Sequence, residues 1–229
     1  MKIGGFQKFS LIDYPGKICA IIFTQGCNFR CPYCHNPELV KPDKFQEPIP
    51  EKYIFDFLKK RIGKLDAVSI TGGEPTIHED LPEFIRNIKQ LGFLVKLDTN
   101  GTNPGLLGKL IEEKLVDYLA MDIKAPLRKY NEVTRVYVNK DKISQSIELI
   151  KKSNVEYEFR STLVESLLSQ SEVLDIGNLL GKVKRFFLQE FVSSKTLDGT
   201  FLNKVSFSND KLLVLQNKFK NFVSEFAIR

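Results

Sequence analysis

Apolar runs of strand length alternate along the chain with segments whose apolar residues recur at helical spacing. Runs at 18–24, 66–71, 93–98, 117–122, 156–162 and 184–190 read as strands. Between the first two, Tyr53, Ile54, Phe57, Leu58 and Ile62 form one stripe, which stops at Gly63. A second helix opens with Asp80 as N-cap and Pro82 in its first turn. It carries Phe84, Ile85, Ile88 and Leu91 before Gly92 ends it. Asn103-Pro104 starts a third, with Leu106, Leu107, Leu110, Ile111 and Leu115 on one side. Ile143, Ile147 and Ile150 mark a fourth. Ser169 and Glu172 make a capping-box pattern ahead of a fifth. Residues 208–226 read as a final amphipathic helix.

Strands joined by helical crossovers predict a parallel sheet with right-handed connections. Eight such units close a full barrel, and six leave a gap. The expected organisation is one domain over 1–229, with a core at about 15–191 and a C-terminal helical extension at 192–229.

At 229 residues with 42% hydrophobic content, the chain has enough apolar material for a sizeable core. Its net charge of +6 comes from scattered lysines. No basic stripe with interleaved aromatics is present, so nucleic acid is not an expected partner. No long apolar run suggests a signal peptide or a membrane span, and the expected location is the reducing cytoplasm.

Three of the four cysteines, Cys27, Cys31 and Cys34, lie in one short segment directly after the first strand, spaced C-x3-C-x2-C. Three thiolates hold three corners of a metal cluster and leave one iron open to an outside ligand, since a 4Fe–4S cluster normally takes four cysteines. A structural zinc site needs four protein ligands. His35 is the nearby candidate for the fourth, but it adjoins Cys34, and adjacent side chains rarely reach one metal. Cys19, between Ile18 and Ala20, reads as a small buried hydrophobe.

In parallel α/β folds ligands bind at the carboxyl ends of the strands, and the unusual residues of this chain fall there repeatedly. The cysteines follow strand one. Thr71-Gly72-Gly73-Glu74-Pro75 follows strand two: paired glycines let a ligand lie on bare backbone, and Glu74 can accept from an ammonium. Leu97-Asp98-Thr99-Asn100-Gly101 follows strand three, although Asn-Gly is also a common turn. Met121-Asp122-Ile123-Lys124 ends strand four, with Asp122 and Lys124 on one face, where they can pair for structure alone. Arg160 lies inside strand five, a costly position unless it is paired. A ligand carboxylate would pair it, and Glu158 is the alternative.

The cysteine spacing, with Tyr33 just before the third cysteine, resembles the radical S-adenosylmethionine superfamily. Gly5-Phe6, Ser10, Asp13-Tyr14-Pro15-Gly16 and Cys34-His35-Asn36 narrow the resemblance to the glycyl-radical-enzyme activases. Among these the chain is most similar to activating proteins of anaerobic ribonucleoside-triphosphate reductase. The resemblance implies an α/β fold, an open (β/α)6 partial TIM barrel. It implies one 4Fe–4S cluster on Cys27, Cys31 and Cys34, with S-adenosylmethionine on its open iron. By the same resemblance, Tyr33 lies beside the adenine, and Gly72, Gly73 and Glu74 meet the methionine amino group. Asp98 and Thr99 lie near the ribose and methionine, and Lys124 contacts the ligand carboxylate. Asp98 and Asp122 hold a monovalent cation near the sulfonium.

The implied reaction is reductive cleavage of S-adenosylmethionine to methionine and a 5′-deoxyadenosyl radical, which takes a hydrogen atom from a glycine of a partner enzyme. Flavodoxin or ferredoxin is the implied electron donor. Pyruvate formate-lyase activases carry a histidine near the sixth strand. This chain has only His35 and His78, so the corner at Gln189 and Glu190 stays unassigned. Other readings are an activase of the formate-lyase type, a small-molecule radical enzyme similar to 7-carboxy-7-deazaguanine synthase, and a non-catalytic electron-transfer or zinc module.

Overall fold

A computed structural model describes residues 1–220 and 223–229. Eight strands form one sheet in chain order, β1 (Ile3–Ser10), β2 (Cys19–Thr24), β3 (Ala67–Gly72), β4 (Leu94–Thr99), β5 (Tyr118–Asp122), β6 (Glu156–Leu163), β7 (Val183–Glu190) and β8 (Val223–Ile228). The strands β2 to β8 run parallel, while β1 pairs antiparallel with β2. Among the described residues β1 and β8 do not pair with each other, so the barrel is open.

All six expected strands are present within one or two residues, as β2 to β7. The crossover segments contain α1 (Pro37–Val40), α2 (Glu51–Lys59), α3 (Leu81–Gln90), α4 (Pro104–Glu112), α5 (Tyr130–Thr134), α6 (Lys140–Lys152) and α7 (Gln170–Leu180), and α8 (Asn209–Phe219) precedes β8. The expected caps form at α4, where Asn103 accepts from the Leu106 N–H, and at α7, where Ser169 and Glu172 complete the capping box. Asp80 is different. It precedes α3 but its side chain makes no cap bond, because the carboxylate is taken by the Met1 ammonium. The α2 stripe also narrows: Ile54 and Leu58 are buried, whereas Tyr53 is half-exposed and Ile62 lies beyond the helix.

The sequence pattern misses the two outer strands. In β1, two glycines and exposed polar positions hide any apolar run. The helix expected over 208–226 is corrected to α8, ending at Phe219, and a strand. Leu212, Leu215, Phe219, Val223 and Phe226 keep helical spacing across the break, so periodicity alone runs them together. The residues at 221–222 lie outside the described part.

Alternation along the strands sorts side chains to two faces. Val68, Ile70, Val95, Leu97 and Leu119 point outward into the main core under the helices. The inner face is unlike it. At the strand starts Cys19, Ile21, Ala67 and Tyr118 pack with Tyr14 as an apolar plug. Higher in the lumen stand Lys96, Asp98, Glu158, Arg160 and Asp122, all in hydrogen bonds or ion pairs. Above these, at the carboxyl ends of the strands, is a cavity. Among the described residues no helix is long and apolar enough to cross a membrane.

Candidate active site

The cavity measures about 320 Å³, within the range of small-molecule sites. Cys27, Cys31, Tyr33 and Cys34 form one wall, Gly72, Gly73 and Glu74 a second, and Asp98, Thr99, Asp122 and Lys124 the floor. Eleven of the twelve residues singled out from the sequence thus meet in one place. Arg160 is the exception. It lies below the floor, tied to Asp98 and Asp122, and does not line the cavity.

The cysteine loop is stitched to its neighbours by backbone. The Gly26 carbonyl accepts from the Glu74 N–H at 2.8 Å, and the Gly26 N–H donates to the Leu39 carbonyl at 2.8 Å. Arg30 folds back on its own loop and donates to the Cys27 and Phe29 carbonyls at 2.6 and 2.7 Å. Asn28 bridges to the turn after β4: it donates to Thr102 Oγ1 and accepts from Asn100 Nδ2, both at 2.8 Å. Phe29 is buried edge-on against Tyr130.

The turn after β3 requires its glycines. Gly72 has φ +113°, and a Cβ there would sit 2.4 Å from the Thr24 nitrogen. A Cβ on Gly73 would sit 1.8 Å from the Gly26 carbonyl oxygen.

Glu74 is 1% exposed and acts as a fastener. Its Oε1 accepts from the Thr76 N–H, the Thr76 hydroxyl and the Thr99 hydroxyl, and its Oε2 accepts from the Asn100 N–H at 2.7 Å. Burial raises its carboxyl above the ordinary range even against these bonds. Only Oε2 keeps capacity for a ligand ammonium, since a carboxylate oxygen accepts about two hydrogen bonds. Glu74→Ala would leave four buried donors without an acceptor. We expect it to lower unfolding free energy by about 3 kcal/mol, read as a shifted denaturant midpoint at unchanged slope. A loss under about 0.5 kcal/mol would refute this fastening role.

On the floor, Lys96 and Thr71 donate to Asp98, and Lys124 Nζ donates to Asp122 Oδ2 at 3.0 Å. Burial would raise both aspartate carboxyls, but Arg160 overrides it and holds both below the usual carboxylate range. Lys124 is held well above its ordinary range by Asp122, against its own burial. Lys96 escapes a reading from the motifs, although a lysine two residues before Asp98 in an apolar strand is the signal that would find it. Thr162, Gln189 and Glu190 also border the cavity.

These residues fit a cluster with an open iron. Three thiols line one side of one cavity, and the buried Tyr33 hydroxyl beside Cys31 has no well-formed hydrogen-bond partner. Burial pushes the Cys27 thiol up to about 12 and the Cys31 thiol to about 11, and raises Cys34 as well. The free thiols are therefore protonated at neutral pH, and metal must displace their protons. His35 borders the same cavity but is held from outside it. Its Nε2 donates to the Val192 carbonyl at 2.8 Å and its ring stacks on Phe191, so only Nδ1 keeps a lone pair, on a residue that adjoins Cys34. Cys19 is fully buried in the plug, as expected.

The radical SAM superfamily profile matches residues 21–166, from β2 into the residues after β6. The chain belongs to the radical SAM superfamily. As a radical SAM protein it is an enzyme of radical-generating chemistry, and the family implies S-adenosylmethionine and a 4Fe–4S cluster. A protein of Methanocaldococcus jannaschii with the provisional name of glycyl-radical enzyme activating enzyme is 35% identical over 233 residues, covering 99% of this chain and 95% of that one. A GTP 3′,8-cyclase of Clostridium perfringens is 29% identical over 188 residues, covering 75% of this chain and 52% of the cyclase. The crystal structure of Streptococcus suis SuiB bound to S-adenosylmethionine shares the fold, with a TM-score of 0.69 at 16% identity. That match covers 89% of this chain, which spans about half of SuiB (48%).

The segment after β7 crosses the cysteine loop. Phe191 packs edge-on against Tyr33, and the Asp198 N–H donates to the Pro32 carbonyl at 3.0 Å. Lys195 pairs with Glu38 and Arg135 with Asp198, while Phe201 is buried in the core. The extension is thus helix, crossing segment and sheet strand together.

Proposed function

We propose that this radical SAM enzyme is an activase that generates a glycyl radical on a partner enzyme, and that the partner is anaerobic ribonucleoside-triphosphate reductase. The observation that carries the reading is the 35% identity, along nearly the whole of both chains, to a relative provisionally named as such an activase. The reductase as partner rests on the motif resemblance and on the lack of a histidine near Gln189.

In this reading Cys27, Cys31 and Cys34 hold the cluster, and the ligand lies between the Gly72-Gly73 backbone and the floor. The bare backbone and the free capacity of Glu74 Oε2 receive its amino group. Lys124 receives its carboxylate, Asp98 and Thr99 face the ribose side, and Tyr33 borders the adenine. Flavodoxin or ferredoxin supplies the electron. When bound, the reduced cluster and S-adenosylmethionine supply a 5′-deoxyadenosyl radical able to take a hydrogen atom from a glycine Cα. The chain contributes orientation and exclusion of water: Phe29, Tyr33 and the crossing segment wall the loop from solvent. The open side between β1 and β8 offers an approach for a loop of a large partner.

Similarity to GTP cyclases favours a second reading, a radical enzyme acting on a small molecule. It covers less of both chains at lower identity. The test is to incubate anaerobically reconstituted, reduced protein with S-adenosylmethionine, with and without the reductase. We expect 5′-deoxyadenosine together with a glycyl radical signal on the reductase. Deoxyadenosine without that signal would remove the reductase as partner.

A further inference from the structure

The resemblance to activases implies a monovalent cation between Asp98 and Asp122. The residues do not fit one. The two carboxylates have four oxygens, and each already receives a charged donor. Lys96 Nζ donates to Asp98 Oδ1, and Arg160 Nη2 to Asp98 Oδ2 at 3.1 Å. Arg160 Nε donates to Asp122 Oδ1 at 2.8 Å, and Lys124 Nζ to Asp122 Oδ2 at 3.0 Å. The guanidinium spans the two carboxylates, where a shared ion would have to sit. A metal ion there would meet three cations, and no carboxylate oxygen lacks a charged donor.

The register explains why the arrangement is built in. Asp122 of β5 pairs directly with Arg160 of β6, and both face the lumen. Asp98 lies one strand further, beside Ala120, whose small side chain leaves room for the guanidinium to reach across. Glu158, at 3.9 Å from Arg160 Nη1, lies on the far side of the fork, away from the cavity. Arg160 therefore has its carboxylates inside the protein and needs none from a ligand. A planar guanidinium is always charged and offers donors in a fixed fork, which suits two acceptors held at one spacing.

We infer that Arg160 takes the place of the monovalent cation, so that S-adenosylmethionine binds this enzyme without potassium or sodium. Arg160 is a positioning residue here: it fixes Asp98 and Asp122 from beneath and touches no ligand. The inference rests on the reading that S-adenosylmethionine occupies the cavity above them, and the experiment separates the two.

Binding of S-adenosylmethionine to the cluster-loaded protein would be measured by calorimetry in potassium, sodium and choline chloride at equal ionic strength, with thermal unfolding followed in the same salts. For the natural protein we expect dissociation constants within twofold and coincident unfolding midpoints. Arg160→Ala opens the space between the carboxylates. It is expected to unfold several degrees higher in potassium than in choline and to bind the ligand at least fivefold tighter in potassium. Guanidinium ion at millimolar concentration should substitute for potassium in this variant. A natural protein that loses fivefold or more in choline overturns the inference, and so does an Arg160→Ala protein indifferent to potassium. If the variant does not fold, the salt series on the natural protein decides. No ligand binding in any salt, with Arg160→Ala still stabilised by potassium, sinks the ligand reading and leaves Arg160 as the built-in cation.

Discussion

Replacing Cys31 with alanine is expected to abolish cluster loading: iron and sulfide after anaerobic reconstitution fall from about four per chain toward none, and 5′-deoxyadenosine formation falls to background. The reason is ligand count. Two thiolates cannot hold a cluster that already lacks a fourth cysteine, and His35 adjoins Cys34, where adjacent side chains rarely reach one metal. The fold should survive, because removing one small buried sulfur costs about 1 kcal/mol. Cys19→Ala is the matched control. That thiol is fully buried in the apolar plug at the opposite end of the lumen, so this variant should load completely. Full loading and activity in Cys31→Ala would refute the site assignment.

Gly73→Ala is expected to damage both stability and ligand binding. The added carbon would lie 1.8 Å from the Gly26 carbonyl oxygen and 2.6 Å from its carbon. Backbone cannot step aside as a side chain can, and that carbonyl is also held by the Glu74 N–H. Relief requires the turn after β3 and the cysteine loop to separate. We expect a loss of about 3 kcal/mol in unfolding free energy and at least a tenfold weaker affinity for S-adenosylmethionine. Gly108→Ala in the middle of α4 provides the contrast. Its new carbon meets only Leu149, at an ordinary 4.0 Å, and helix propensity favours alanine by about 1 kcal/mol. Equal effects from the two substitutions would show that close backbone contact is not what Gly73 provides.

The central sheet was legible because its strands are buried on the outer face and run as continuous apolar segments. The lining of the candidate site was legible because chemically distinctive residues stand directly after those segments. Two things were not. The outer strands lack the signal: β1 carries glycines and exposed polar positions, and β8 continues the helical spacing of α8 across a break. Partners were also hidden. Arg160 announces by its type that it must be paired, but which carboxylates it meets depends on the register of β4, β5 and β6. Glu74 reads as a ligand group from its turn, yet the donors that occupy it come from Thr76, Thr99 and Asn100. Only folding brings the last two beside it. Lys96 shows the same limit: its place in an apolar strand before Asp98 flags it, but its pairing with Asp98 exists only once the lumen is formed.

The stretch that marks the family ends at 166, yet β7, the crossing segment and β8 all lie beyond it. Trimming the chain there would expose β6 as a raw edge, and unpaired parallel strands of apolar composition are aggregation templates. Trimming at 191 would be little better. Phe186 would lose both Phe219 and Phe226, which pack on it at 5.3 and 6.3 Å, and the cysteine loop would lose its outer wall. The smallest part of this protein able to fold and keep its thiols sheltered is therefore much longer than the stretch by which its ancestry is read.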